Sequence, residues 1–126
     1  MATLSRIAPV LVVPDVAEAL AYYRDKLGFE VDEWDPNPAA YGYAHRDVCE
    51  IHLCQGEPAR PNSEVVQPDL FDVYIGTDDV AALYEEFKAN GADLLHEPIE
   101  RPWAMLEIRV QDPFSYILAF GQRLSS

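Results

Sequence analysis

The stretch Val10 to Val31, VLVVPDVAEALAYYRDKLGFEV, returns in altered form as Val73 to Leu94, VYIGTDDVAALYEEFKANGADL. Asp15-Val16 aligns with Asp79-Val80 at a spacing of 79 − 15 = 64. Gly28 aligns with Gly91 at 91 − 28 = 63, half of the 126-residue chain. A period of half the length marks one unit used twice. Each copy opens on a β-branched and apolar run, Ile7 to Val13 or Phe71 to Ile75, which predicts a buried strand. Asp15 and Asp78 then stand where a carboxylate would cap a helix start. Val16, Leu20, Tyr23 and Leu27 fall at helical spacing, as do Val80, Leu83, Tyr84 and Phe87. Gly28 and Gly91 are placed to end the helices in the left-handed conformation.

Working outward, a strand is predicted after each glycine, at Phe29 to Trp34 and at Asp93 to Ile99. Two further strands complete each half: Tyr41 to Arg46 and Val48 to Cys54, then Ala104 to Val110 and Tyr116 to Phe120. The last pair is joined by the turn Gln111-Asp112-Pro113-Phe114-Ser115. Gln55 to Asp69 carries Pro58, Pro61 and Pro68 and reads as a connection without helix or long strand. The fold class is therefore α+β. Unit one covers residues 1–54, the linker 55–69 and unit two 70–126, within one domain. One helix covers one face of a four-stranded sheet in each unit. The other face awaits the second copy, a second chain or a ligand.

Nine basic and 22 acidic residues give a net charge of −13. Such a surface repels phosphate backbones and anionic bilayers, so neither nucleic acid nor membrane is an expected partner, whereas a cation is attracted. Acid that merely confers solubility is the plainer alternative. Cys49 and Cys54 sit five apart, so on one strand they point to opposite faces and do not pair. No run approaches the roughly 20 apolar residues of a membrane span, and no secretory leader is legible. The expected location is cytoplasmic.

Strand alternation assigns the face turned away from each helix. Asp32 and Trp34 fall there, with Glu50, His52 and Cys54, Asp72 and Tyr74, and Trp103, Met105, Glu107 and Arg109; Tyr41, Tyr43 and His45 share one face of their strand. Aromatic walls and carboxylates together suit a flat cationic ligand, through cation–π attraction and charge-assisted hydrogen bonds. An ordinary solvent-facing or subunit-facing sheet is the competing reading, because interfaces also favour Trp and Tyr.

The repeat, together with Glu50-Ile51-His52-Leu53 and the stretch Pro102 to Pro113 (PWAMLEIRVQDP), resembles the vicinal-oxygen-chelate superfamily, and within it the bleomycin-resistance-protein-like branch. The resemblance spans essentially the whole chain. Ala104 departs from it where glycine is usual, and Phe114-Ser115 replaces the common aspartate-glycine. It implies paired βαβββ units whose sheets curl around a cleft. It also implies, in the metal-dependent enzymes, a divalent ion held at positions that correspond here to Ala8, His52, Asp72 and Ala119. Two of those cannot bind metal, and a catalytic site usually needs about three protein ligands, so neither a metal nor another cofactor is expected. The glyoxalase and dioxygenase chemistries of the superfamily are accordingly disfavoured.

The expectation is a non-catalytic binding protein that holds a bulky cationic, aromatic molecule of the bleomycin type at a homodimer interface. Its ligand-binding residues would be Asp32, Trp34, Tyr43, Glu50, His52, Asp72, Tyr74, Trp103, Met105 and Glu107. The alternatives are a divalent-metal-dependent enzyme and a relative that kept the fold for another role. Glu50 and His52, two apart on a strand, also have the spacing of an acid–base pair.

Overall fold

A computed structural model describes residues 1–34 and 40–124. The first half runs β1 (Val10–Val13), α1 (Val16–Asp25), β2 (Glu30–Trp34), β3 (Tyr41–Arg46) and β4 (Cys49–Gln55). The second runs β5 (Val73–Gly76), α3 (Val80–Asn90), β6 (Asp93–Leu94), β7 (Ile99–Arg101), β8 (Met105–Gln111) and β9 (Ile117–Arg123). Sheet one has the order β1-β4-β3-β2 and sheet two the order β5-β9-β8-β6, with β7 also on β8. In each, the first strand runs parallel to the last and the remaining pairs are antiparallel. This is the α+β architecture of two βαβββ units with curled sheets, each covered on one face by its own helix.

The repeat is kept at the level of single hydrogen bonds. Asp15 accepts from Glu18 N at 3.0 Å and Asp79 from Ala82 N at 2.9 Å. Gln55, at the end of β4, accepts from Val16 N, and Gln122, near the end of β9, accepts from Val80 N. The first turn of each helix, whose N–H groups lack intrahelical partners, is thus tied to the last strand of its own unit. Val16, Leu20, Tyr23 and Leu27 are buried on one side of α1 and Val80 and Phe87 on one side of α3. Both sets join Ile51, Leu53, Ile108, Val110, Leu118 and Phe120 in a single core.

Polar contacts then fix the two units to each other. The Tyr23 hydroxyl, fully buried, donates to Asp112 Oδ2 at 3.0 Å, while Phe114 N and Tyr116 N donate to Asp112 Oδ1. Tyr22 donates to Gln111 O and Tyr116 to Val12 O. Arg46 meets Glu86 with two parallel hydrogen bonds of 2.8 Å. Because the helix sides of both sheets are consumed in this shared core, the opposite face of each sheet has no covering helix or strand among the described residues of its own unit.

Several boundaries differ from expectation for local reasons. β1 begins at Val10, because Pro9 has no N–H with which to lengthen the ladder, and Ile7 is exposed. The cap of α3 is Asp79 rather than Asp78. Helix α1 stops at Lys26, two residues before the left-handed Gly28, whereas Gly91 does close α3, with Ala92 N reaching Phe87 O. The linker contains one helical turn, α2 (Asn62–Val65), started by Pro61 and held by Asp72, which accepts from Asn62 N. The predicted strand Asp93 to Ile99 splits into β6 and β7 around Pro98. Phe71 lies before β5 and packs on Tyr74 and Arg109 instead of joining the core. Cys49 and Cys54 are unpaired on β4. Among the described residues, no helix is long and apolar enough to cross a membrane.

Two features give stability predictions. Ala104 holds φ = 64° at the tip of the β7–β8 hairpin, where a side chain crowds the backbone. Ala104→Gly is expected to raise unfolding stability by about 1 kcal/mol in urea titration; a loss would show that the tip is unstrained. Burial raises the Asp112 carboxyl to about 6, despite the hydrogen bonds that favour its charged form. A folded value above the unfolded one means that the native state holds the extra proton. Its stabilising contribution is full below about pH 4 and is lost as pH rises toward 6. Asp112→Asn removes that term and lets the Tyr23 hydroxyl turn to accept. The variant's stability relative to the parent should therefore rise by up to about 3 kcal/mol between pH 4 and pH 7. A pH-independent difference would refute the assignment.

Candidate functional site

On sheet one, register brings the expected residues into transverse rows, since cross-strand partners share a face. Asp32, Tyr43 and His52 form one row across β2, β3 and β4. Trp34, Tyr41 and Cys54 form the next row, and Glu30, His45 and Glu50 the row on the other side. Tyr41 and Tyr43 pack edge-on against the His52 ring, with centroids 5.5 and 4.8 Å away. His52 Nε2 lies 2.5 Å from Glu50 Oε1, and Nδ1 lies 2.9 Å from the Tyr41 hydroxyl. The hydrogen bond from His52, with help from Arg6 at 3.4 Å, holds the Glu50 carboxyl below its ordinary range. A cavity of about 470 Å³ on this face is lined by Arg6, Asp32, Tyr43, His45 and Glu50, among others. Trp34, opposite Tyr41 in the neighbouring row, is 66% exposed. A face of partly buried rings, two histidines and three carboxylates can seat a flat cation.

Sheet two is different in kind. Glu107 is fully buried, and four side chains surround it. Trp103 Nε1 donates at 2.8 Å and the Tyr74 hydroxyl at 2.9 Å, both to Oε2. Arg109 donates to Oε1 at 3.2 Å, and Arg101 Nε lies 3.4 Å from the same oxygen. Burial pushes the Glu107 carboxyl up, but the hydrogen bonds from Trp103, Tyr74 and Arg109 outweigh it and hold the group below its ordinary range. Burial, followed by the bond to Glu107, raises the Tyr74 phenol to about 12. Tyr74 on β5 reaches Glu107 on β8 across Gly121 of β9, where a Cβ would lie 1.9 Å from the Tyr74 hydroxyl. Glu107 therefore has its charge met inside the chain, which corrects the expectation of a carboxylate free for a ligand. Asp72 is similarly engaged: one oxygen accepts from Asn62 N and the other from Ile117 N. Met105 is half-buried, and Trp103 and Tyr74 remain 56% and 39% exposed.

Arg101, Arg109, Gly121 and Tyr41 complete these faces and were not singled out from sequence as site residues. Alternation put Arg109 on the correct face without revealing a partner. Gly121 fell one residue beyond the predicted strand Tyr116 to Phe120, so the glycine inside β9 that lets Tyr74 cross close to the backbone was not legible.

A superfamily metal would need donors at positions that hold Ala8 and Ala119, which offer none. The other two are committed: both ring nitrogens of His52 and both carboxylate oxygens of Asp72 already have partners. Among the described residues, no three His, Cys, Asp or Glu side chains gather as a metal-binding group. The residues do not fit the ion.

The sequence profile of the Glyoxalase/Bleomycin resistance protein/Dioxygenase superfamily matches residues 3–120. No curated protein matches the chain. Among solved structures, it is similar to a glyoxalase-related enzyme from Clostridium phytofermentans, at 19% identity over 97% of each chain with a TM-score of 0.77. It is also similar to TioX from Micromonospora sp. ML1, at 20% identity over 95% of this chain and 99% of that one, with a TM-score of 0.75. The bleomycin-binding protein of bleomycin-producing Streptomyces verticillus, complexed with copper(II)-bleomycin, has 23% identity over 97% of this chain and 98% of that one, with a TM-score of 0.75.

If Glu107 is the counter-charge of the buried Arg109 and the half-buried Arg101, its loss strands them. Glu107→Gln should lower unfolding stability by about 3–5 kcal/mol. A change under about 1 kcal/mol in denaturant titration would return Glu107 to the pool of ligand-facing carboxylates.

Proposed function

Because the chain belongs to the Glyoxalase/Bleomycin resistance protein/Dioxygenase superfamily yet gathers no metal donor set among its described residues, we propose that it is a non-catalytic protein that sequesters a bulky cationic, aromatic small molecule. The observation that carries this reading is the sheet-one face. There Asp32 and Tyr43 stand in register with His52 and, with His45 and Glu50, line a cavity of about 470 Å³, while Trp34 occupies the next row. Trp34 and Tyr43 supply ring faces, Asp32 and Glu50 supply charge, and the net charge of −13 draws a cation toward them. Trp103, Tyr74 and Met105 of sheet two supply the second wall.

The working assembly in this reading is a homodimer in the cytoplasm, with the open sheet one of one copy facing the open sheet two of the other. Sheet one presents Glu30, Asp32 and Glu50, and sheet two presents Arg101 and Arg123, so the two faces are complementary in charge. The structural likeness to a bleomycin-binding protein makes bleomycin the natural first ligand to try.

Chelator-treated protein titrated with metal-free bleomycin should bind about one ligand per chain, more weakly at high salt. Trp34→Ala, which removes an exposed ring with no hydrogen-bond role, should weaken binding about tenfold, or about 1.4 kcal/mol. Absence of binding at micromolar protein would remove this ligand from the reading, and undiminished binding by Trp34→Ala would remove the stacking role.

A further inference from the structure

The rim of sheet two nearest the Trp103 hairpin is basic, although the protein as a whole is strongly acidic. Arg101 of β7 and Arg123 of β9 both pair with Met105 of β8, so one arginine stands on each side of the methionine on the same face. Two strand spacings separate them, about 10 Å, a gap that two arginine side chains can close from both sides. Arg109 lies deeper on the same strand as Met105. Against these three cations the rim has Glu107 alone, a local balance of 3 − 1 = +2. The acids Asp72 and Asp93 belong to the other end of the face, level with Gln111 and Ile117, six residues along β8 or about 20 Å away.

The guanidinium groups are not all fully paired. Arg109 is 6% exposed, and its Nε is buried with no hydrogen-bond partner among the described residues. The buried Nε of Arg101 makes no hydrogen bond either, although it is ion-paired with Glu107 Oε1 at 3.4 Å. Arg123 has no ion-pair partner among the described residues and is exposed. Beside them Trp103 is more than half exposed, and its indole N–H is fixed on Glu107, which leaves a ring held in place as a wall. Surplus positive charge, an exposed arginine without an ion-pair partner among the described residues and a fixed aromatic ring together describe a receptor for an aromatic oxyanion. Arginine suits this role because its planar fork matches a carboxylate.

We propose that Arg101, Arg123, Met105 and Trp103 form a carboxylate-binding subsite, so that the molecule held between the two sheets is bipolar, with a cationic part on sheet one and an anionic group on sheet two. The inference rests on the binding role proposed above for its setting, but its residues and its test are separate from those of the acidic face.

The test compares 2-naphthoate with its uncharged isostere naphthalene-2-carboxamide, by calorimetric titration of the full chain at low salt. The acid should bind at least about tenfold more tightly than the amide, corresponding to about 1.4 kcal/mol. Arg123→Gln, a change on an exposed side chain that leaves the Glu107 cluster intact, should reduce that preference, and the double variant Arg101→Gln/Arg123→Gln should abolish it. Equal binding of acid and amide, no binding of either, or a preference that survives the double variant would overturn the subsite. A 2-naphthylmethylammonium titration run alongside reports on the acidic face, so failure there leaves the naphthoate result readable. If the double variant alters only the monomer–dimer balance in size-exclusion chromatography and the preference persists, the arginines serve subunit pairing and the proposal falls.

Discussion

The contact on which the rest depends is the buried bond between Tyr23 and Asp112. One partner comes from the helix of the first unit and the other from the last turn of the second. Neither can be left alone: a buried phenol or carboxylate without a partner costs more than the bond itself contributes. The bond therefore fixes how the two units meet, with their helix-covered sides turned into one core. Every later property of the open faces follows from that orientation. Had the units met through their bare sheets, Trp34, Tyr43 and Trp103 would be core residues and no binding face would remain.

The two open faces have diverged within a common frame. The helix side of each sheet must fill the same core, so apolar residues recur there at matching places. The bare side carries no such obligation. Sheet one uses that freedom for a histidine linked to Glu50 and Tyr41 and flanked by further acids. Sheet two uses it for a buried carboxylate ringed by arginine, tryptophan and tyrosine. An overall charge of −13 conceals this difference, because it averages over a rim that is locally positive.

What the sequence revealed was whatever depends on short spacing. The duplication, the buried stripe of α1, the alternation of β2 and β4, and the turn at Asp112 are all set by residues close in the chain, and all could be read, whereas the face of β3 that carries Tyr41, Tyr43 and His45 was fixed only by pairing with its neighbours. The hidden features depend on partners far apart in sequence. Alternation placed Glu107 on the bare face correctly, but only the pairing of β7, β8 and β9 brings Arg101, Arg109 and Tyr74 to it, so its charge looked free when it is not. Asp72 misled in the same way, since the backbone N–H groups that occupy it lie 10 and 45 residues away. Proline explains the boundary errors at Pro9 and Pro98, because a missing N–H ends pairing whatever the hydrophobicity of its neighbours.

Gln55 and Gln122 have a meaning beyond capping. Each closes its own unit by joining the final strand to the start of the helix, so each half contains everything required to fix its internal geometry, and the segment between them carries a single helical turn. The chain is thus modular in a topological sense: its order of units is a matter of history rather than mechanics. Either unit could come first along a chain without disturbing the contacts that hold its own helix to its own sheet.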